Sequence, residues 1–422
     1  MTPTRLTMRY GRGSVEWILP ATATMLDVRE PPRTFTPHCF EDDLTAALSN
    51  AIAVGQVAIV VADKTRRCDY PIILPLILAT LHKRGFQHDK IVFYIAYGNH
   101  APQTPEESLA TYGPVYRDYP FIHHRADQVD LFVDLGTTTR GTPVRIRRDL
   151  LTADLILSVG VISHHYFAGF GGGRKLLFPG LSERRAIYAN HRLFLDIDGQ
   201  RLHPGCRAGQ VEGNPIAEDL AEIHALLPPH LAIHGLPDSQ GSITAFRMGS
   251  SYEVFLEACR YHDHYYRAND EHLYDLVLAS AGGYPKDINM IQAHKAIDNA
   301  AAFVRDKGTL IVVAECADGL GSTTFLPYFQ MDGHLAAFTD LTRRYSGNGG
   351  TALALMAKTQ RITVLLMTTL DASLCRQLSI TPISRAAIQE LLDTEQCTLA
   401  VIRNASMLIR GAAMETRRPF AC

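Results

Sequence analysis

The sequence predicts an α/β protein: two domains with mostly parallel sheets, and an active site in the interdomain cleft. Three observations predict it. Short, continuous apolar runs alternate with helical patterns, as in QVAIVVADKTRR (56–67) followed by PIILPLILATLHKRGF (71–86). Runs without polar alternation suit strands buried on both faces, which is the state of strands in a parallel sheet covered by helices. The same rhythm occurs twice, on either side of the polar and aromatic segment RYHDHYYRANDEH (260–272). At 422 residues, the chain exceeds what one ordinary core supports. The reading divides it into an N-terminal α/β domain, 1–268, and a C-terminal α/β domain, 269–422.

The elements follow in order. After the first strand and helix, KIVFYIAYGNH (90–100) is a second apolar run. TPEESLATY (104–112) carries a helix start: Thr104 as N-cap, Pro105 in the first helical position and Glu107 to complete a capping box. DLILSVGVI (154–162) is a third buried strand. In the second half, DLVLASAGG (275–283) is a strand and DINMIQAHKAIDNAAAFVR (287–305) a helix, with Asp287 as its N-cap. TLIVVAECADG (309–319), RITVLLMTT (361–369) and CTLAVIRNASML (397–408) complete the strand set.

Composition narrows the class. The chain is 46% hydrophobic and 20% charged, with a formal net charge of -2, so it offers no basic surface for nucleic acid or an anionic membrane. No apolar run is long enough to cross a bilayer, and the N-terminus lacks the apolar stretch of a secretory signal. Eight cysteines without a CxxC pair indicate neither a disulfide framework nor a cysteine zinc site. A reducing cytoplasm is the expected home.

In open α/β sheets, ligands bind beyond the carboxyl ends of the strands. Four polar loops stand there. Asp63, Lys64, Thr65, Arg66 and Arg67 follow the first strand; they form either a solvated charged loop or an anion cradle in which Arg66 offers a fork to phosphate or carboxylate. Gly98, Asn99 and His100 follow the second, and His100 is either a turn cap or a general acid/base. The third leads into SHHYFAGFGGGRKLLFPG (163–180). Its glycine spacing fits neither the Walker A loop nor the dinucleotide fingerprint. So many glycines are wasteful in a flexible turn, and they suit a backbone that passes close to a ligand. Lys175 ends the loop as a point charge or a nucleophilic amine. In the second half, Gln292 and Lys295 lie three apart on a helix and so share a face, extended by Asn299. They are a polar stripe or a carboxylate-binding pair. His191, taken alone, reads as a surface histidine.

Together, DKTRR, GNHAPQTPEE, HYFAGFGGGRKLLFPG, the later ANH and GGYPKDINMIQAHKAI resemble, in order, the signature segments of the nickel-dependent lactate racemase family. The resemblance runs from about residue 60 to about residue 300. It implies an isomerase, a racemase or epimerase of lactate or a related 2-hydroxy acid. It also implies a nickel-pincer nucleotide, a pyridinium mononucleotide with two sulfur substituents and a carbon-bound nickel, through which hydride is reversibly transferred. The matching residues are Lys175 as covalent tether and His191 as the histidine nickel ligand. His100 and His165 match the acid/base pair. Asp63, Lys64, Thr65 and Arg66 match the nucleotide-holding loop, with Arg66 also near the substrate, and Gln292 and Lys295 match the substrate-binding pair. The implied partners are the small-molecule substrate and the enzymes that build the cofactor; a homo-oligomer is left open.

The chain departs from the family pattern in three places. A tryptophan is expected over the small substrate in the second domain, whereas the one tryptophan here is Trp17. Ala101 follows His100 where a basic residue is usual. His164, beside His165, has no assigned role. Two competing readings remain at this stage: a non-catalytic nickel or nucleotide carrier, and a dehydrogenase-type enzyme on the same scaffold. The absence of a dinucleotide fingerprint lowers the dehydrogenase reading, as the absence of HExxH lowers that of a metal hydrolase.

Overall fold

The computed structural model describes residues 4–52, 55–394 and 397–411. The chain forms two compact units. One contains residues 30–193 and 205–265; the other contains the described residues up to Arg29, Phe194–Pro204 and those from Tyr266 to Gly411. Among the described residues, no helix is long and apolar enough to cross a membrane.

The first unit is built on a six-stranded sheet in the order Ile243–Gly249, Leu231–Pro237, Leu155–Val161, Val57–Ala62, Ile91–Ala96, Phe121–His123. All neighbours are parallel except the first pair, which forms an antiparallel edge. Val57–Ala62 lies at the centre and every residue in it is buried, which explains its unbroken apolar sequence. The helix Pro105–Tyr112 starts as its sequence requires: Thr104 accepts from the Glu107 N–H, and Glu107 accepts from the Thr104 N–H.

The second unit has its own six-stranded sheet in the order Thr381–Pro382, Thr363–Met367, Val304–Val313, Tyr274–Ser280, Leu399–Ile402, Thr24–Met25, with every pair parallel. One face packs on the helix Met290–Ala301, through Ala293, Ala296, Ile297 and Ala300. The other is covered by the hairpin Thr4–Tyr10/Gly13–Leu19, whose Leu6, Met8, Trp17 and Leu19 join Leu276, Leu278, Ile311 and Val313.

This arrangement corrects two readings. A single cut after 268 assigns the first 29 residues to the N-terminal domain. They belong to the second unit, because Thr24–Met25 completes its sheet beside Leu399–Ile402 and the hairpin closes its core. Trp17 is a core side chain there, 1% exposed. The helix cap also moves. Asn289, not Asp287, accepts from the Gln292 N–H, while Asp287 is buried and accepts from the backbone of Gly11 and Glu315.

Candidate active site

Asp63 is the first residue beyond the central strand. Two tyrosines fix the strand end that presents it: Ala62 N–H donates to Tyr70 Oη at 2.7 Å, and Tyr112 Oη donates to Ala62 O at 2.8 Å. The buried Asp63 carboxylate accepts from Thr65 N–H at 2.8 Å and from Thr65 Oγ1 at 2.5 Å through one oxygen. Its other oxygen meets His100 Nδ1 at 2.7 Å. Burial pushes its pKa up. The His100 charge, the hydrogen bonds from His100 and Thr65, and Arg66 outweigh that and hold it well below the usual carboxylate range. A carboxylate on Nδ1 keeps the proton on that nitrogen and leaves Nε2 as the free, basic one.

The loop bearing His100 is tied to its neighbours. Buried Gln103 accepts from Lys64 N–H at 2.8 Å, donates to Ser108 Oγ at 3.1 Å, and its own N–H donates to Tyr97 Oη at 3.2 Å. Gly98 N–H donates to Gly180 O at 2.8 Å, and Gly180 N–H donates to Lys175 O at 3.0 Å. The acid/base loop and the lysine loop are thus joined through backbone. The Lys64 ammonium forms an ion pair with Glu107 on the helix Pro105–Tyr112.

SHHYFAGFGGGRK folds as a short hairpin, Ser163–His165 against Gly169–Gly171, then a 3₁₀ turn over Gly173–Leu176. Several of the glycines are required by the protein's own packing. Gly172 has φ +75°, and a Cβ there would lie 2.1 Å from Val161 O. Gly171 is the one beside a charged site residue: its Cβ would sit 2.6 Å from Arg66 Nη1. His165 Nδ1 accepts from Ala168 N–H at 3.3 Å, which puts the ring proton on Nε2. His100 thus turns its Nδ1 to a carboxylate, and His165 turns its Nδ1 to a backbone N–H.

Phe167 joins the remaining pair. Lys175 Nζ lies 5.3 Å from its ring centroid, and the His191 ring is 5.0 Å from it, edge-on. His191 occupies the last turn of the helix Arg184–Arg192. Desolvation, then the positive charges of Lys175 and His100, push its pKa down to about 3, so near neutral pH it is the uncharged imidazole that ligates metals. A network that sequence reading missed holds this region. Fully buried Asn214, N-cap of the helix Pro215–Leu226, donates to the carbonyls of Phe167 and Gln210 at 3.0 Å each. Its only sequence signal is Asn before Pro at a helix start. Asp219, one turn further on, accepts from Asn190 Nδ2 at 2.8 Å.

In the second unit, Lys295 Nζ donates to Gln292 Oε1 at 2.6 Å, so the two form one polar pair. Asn299 does not extend it; it is buried and donates to Ala405 O at 2.9 Å.

Residues 43–202 match the lactate racemase N-terminal domain, and residues 269–350 match the lactate racemase C-terminal domain. The chain belongs to the lactate racemase family. Lactate racemase of Thermoanaerobacterium thermosaccharolyticum is 30% identical over 335 residues, 76% of each chain. That of Lactiplantibacillus plantarum is 30% identical over 274 residues, 64% of this chain and 62% of its own. The structure of the T. thermosaccharolyticum lactate racemase apoprotein superposes with a TM-score of 0.84 at 25% identity, covering 97% of this chain and all of that one. A Thermotoga maritima protein shares the fold, with a TM-score of 0.70 at 15% identity over 90% of this chain and 99% of its own. As a family member, the chain is an isomerase with a two-domain α/β fold.

Two buried histidines away from these groups predict acid sensitivity. Burial and then the Arg147 charge push His124 down to about 4, against its bond to Ser182 O. Burial pushes His234 down to about 3. Both lie below the ordinary 6.5, so the unfolded chain binds more protons below that pH. Stability is full above about 6.5 and falls with acid, by about 1.4 kcal/mol per pH unit for each histidine. Urea unfolding at pH 7 and pH 5 should show this loss; equal stability at the two would refute it.

Proposed function

We propose that the chain racemises a small 2-hydroxy acid, lactate or a close relative, with a nickel-pincer nucleotide tethered to Lys175. The observation that carries the proposal is a histidine oriented by a buried carboxylate at a strand end, His100, joined by a second histidine, His165, that a backbone N–H orients. The C2 hydrogen of a 2-hydroxy acid is a poor acid, so exchange by two bases alone is slow. The nucleotide, when bound, supplies a hydride acceptor that makes oxidation at C2 the easier course. The residues fit such a group: a primary amine and a neutral imidazole share Phe167, and imidazole suits nickel. Asp63, Thr65 and Arg66 hold the nucleotide.

The chain's own residues then move the hydroxyl proton. His100 Nε2 takes it from one hand of the substrate, and His165, entering that turnover as the imidazolium, gives a proton to the oxygen that becomes the other hand; for the opposite hand the two rings exchange protonation states. Arg66 in the first unit, and Gln292 with Lys295 in the second, are each suited to the substrate carboxylate, since a guanidinium, an amide and an ammonium all donate to it. Replacing Gln292 and Lys295 together by Ala is expected to raise KM by about 10- to 100-fold while the mass on Lys175 persists. An unchanged KM would remove the pair from the substrate site.

The deciding experiment incubates holo-protein with single-enantiomer 2-hydroxy acids deuterated at C2. Inversion with the label retained supports hydride transfer. Inversion with exchange into solvent supports proton abstraction and overturns the mechanism. A failure to invert any of a panel spanning lactate and larger 2-hydroxy acids overturns the substrate class.

A further inference from the structure

The adjacent histidines pose a problem of register. The hairpin has three paired positions: Ser163 with Gly171, His164 with Phe170, and His165 with Gly169. Successive residues in a strand point to opposite faces. His164 and Phe170 face one way, into a core with Ile162, Phe255, Ala258 and Cys259; their rings are 5.2 Å apart. Ser163, His165, Gly169 and Gly171 face the other way, and Gly171 lies against Arg66. A slip of the first strand by one residue would exchange the histidines. Ile162 anchors the approach, but within the hairpin the two side chains are chemically identical, and three pairs make a weak ladder.

The helix Tyr252–Tyr266 supplies what distinguishes them. His164 Nε2 meets Asp263 Oδ1 at 2.9 Å, with the two side chains 2% and 0% exposed. The His262 ring stands 4.8 Å from His164. Burying a charged group is costly, and an apolar residue at 164 would pack into the same core. What an apolar residue cannot do is select one of two neighbouring histidines by a directional hydrogen bond. We infer that the His164–Asp263 pair is a register lock: it draws His164 into the core so that His165 alone faces Arg66. His164 is a positioning residue, not a proton carrier. The consequence for turnover rests on His165 being one of the two acid/base groups; the register claim itself does not.

Two readouts test it separately. In the purified full chain, diethyl pyrocarbonate followed by fragment-ion mapping should label His165 and leave His164 unlabelled. Asp263→Ala should bring label onto His164 and, in holo-protein, lower kcat by about tenfold or more with KM nearly unchanged. Asp263→Asn, which keeps an acceptor oxygen in place, should retain the wild-type label pattern and guards against a folding defect in the alanine variant. The double variant His164→Leu/Asp263→Ala restores a matched, apolar pair in which only leucine can enter the core. It should label His165 as wild type does and recover kcat to within about threefold. Wild-type labelling in Asp263→Ala would overturn the lock. A double variant that labels normally yet remains as slow as Asp263→Ala would overturn the positioning role, because His164 would then take part in the chemistry. If wild-type holo-protein does not racemise, the proposed reaction fails while the labelling still decides the register.

Discussion

Replacing His100 by Asn is expected to lower kcat for racemisation by about 10²- to 10⁴-fold, the usual contribution of a positioned acid/base group. Asn keeps the size and polarity of the site but cannot carry a proton. Mirror symmetry makes the enantiomers equally stable, so kcat/KM must fall equally in the two directions, which chiral chromatography from each pure enantiomer would show. The variant Asp63→Asn separates orientation from charge transfer. Asp63 accepts from His100 Nδ1 at 2.7 Å and is kept ionised by His100, Thr65 and Arg66. An Asn amide turned toward His100 would favour the other tautomer, with the proton on Nε2, and would remove the base. A loss close to that of His100→Asn is therefore expected, with no change in the mass on Lys175. If Asp63→Asn instead lost the mass on Lys175 while the enzyme still loaded kept its kcat, Asp63 would serve the nucleotide alone and not His100.

The strand-end loops were legible because of burial. A strand covered on both faces has nowhere to place a polar residue until it ends, so the first polar residue after each apolar run marks the sheet edge where ligands bind. Asp63 and His100 appear at those points, and the structure brings them within a hydrogen bond. The first 29 residues were not legible because their attachment is long-range and short: Thr24–Met25 pairs with residues near 400. The contacts of the glycines were illegible for a related reason. A sequence shows that space is needed at Gly172 but not that the Val161 carbonyl fills it. His164 was the hardest case. Its partner Asp263 lies 99 residues away, in a polar segment that contains the boundary between the units but also the end of the helix Tyr252–Tyr266, from which Asp263 meets the hairpin.

The largest effect is expected at Lys175. Lys175→Arg keeps a positive charge near Phe167 but lacks the primary amine that a thioamide link requires. In protein produced with the cofactor-building enzymes, it should carry no added mass and should racemise no faster than a solution without enzyme. His191→Ala should behave differently. The helix Arg184–Arg192 ends beside Phe167 and does not carry the tether. The mass on Lys175 should therefore remain while nickel content falls, because one ligand is lost and the covalent bond is not. The contrast matters more than either loss of activity, since a merely misfolded protein would lose mass and metal together. Intact-mass spectrometry and metal analysis of the two variants would read it directly. An added mass surviving in Lys175→Arg would move the tether to another residue. Nickel undiminished in His191→Ala would remove His191 from the metal site, leaving its neutral imidazole to the packing around Phe167.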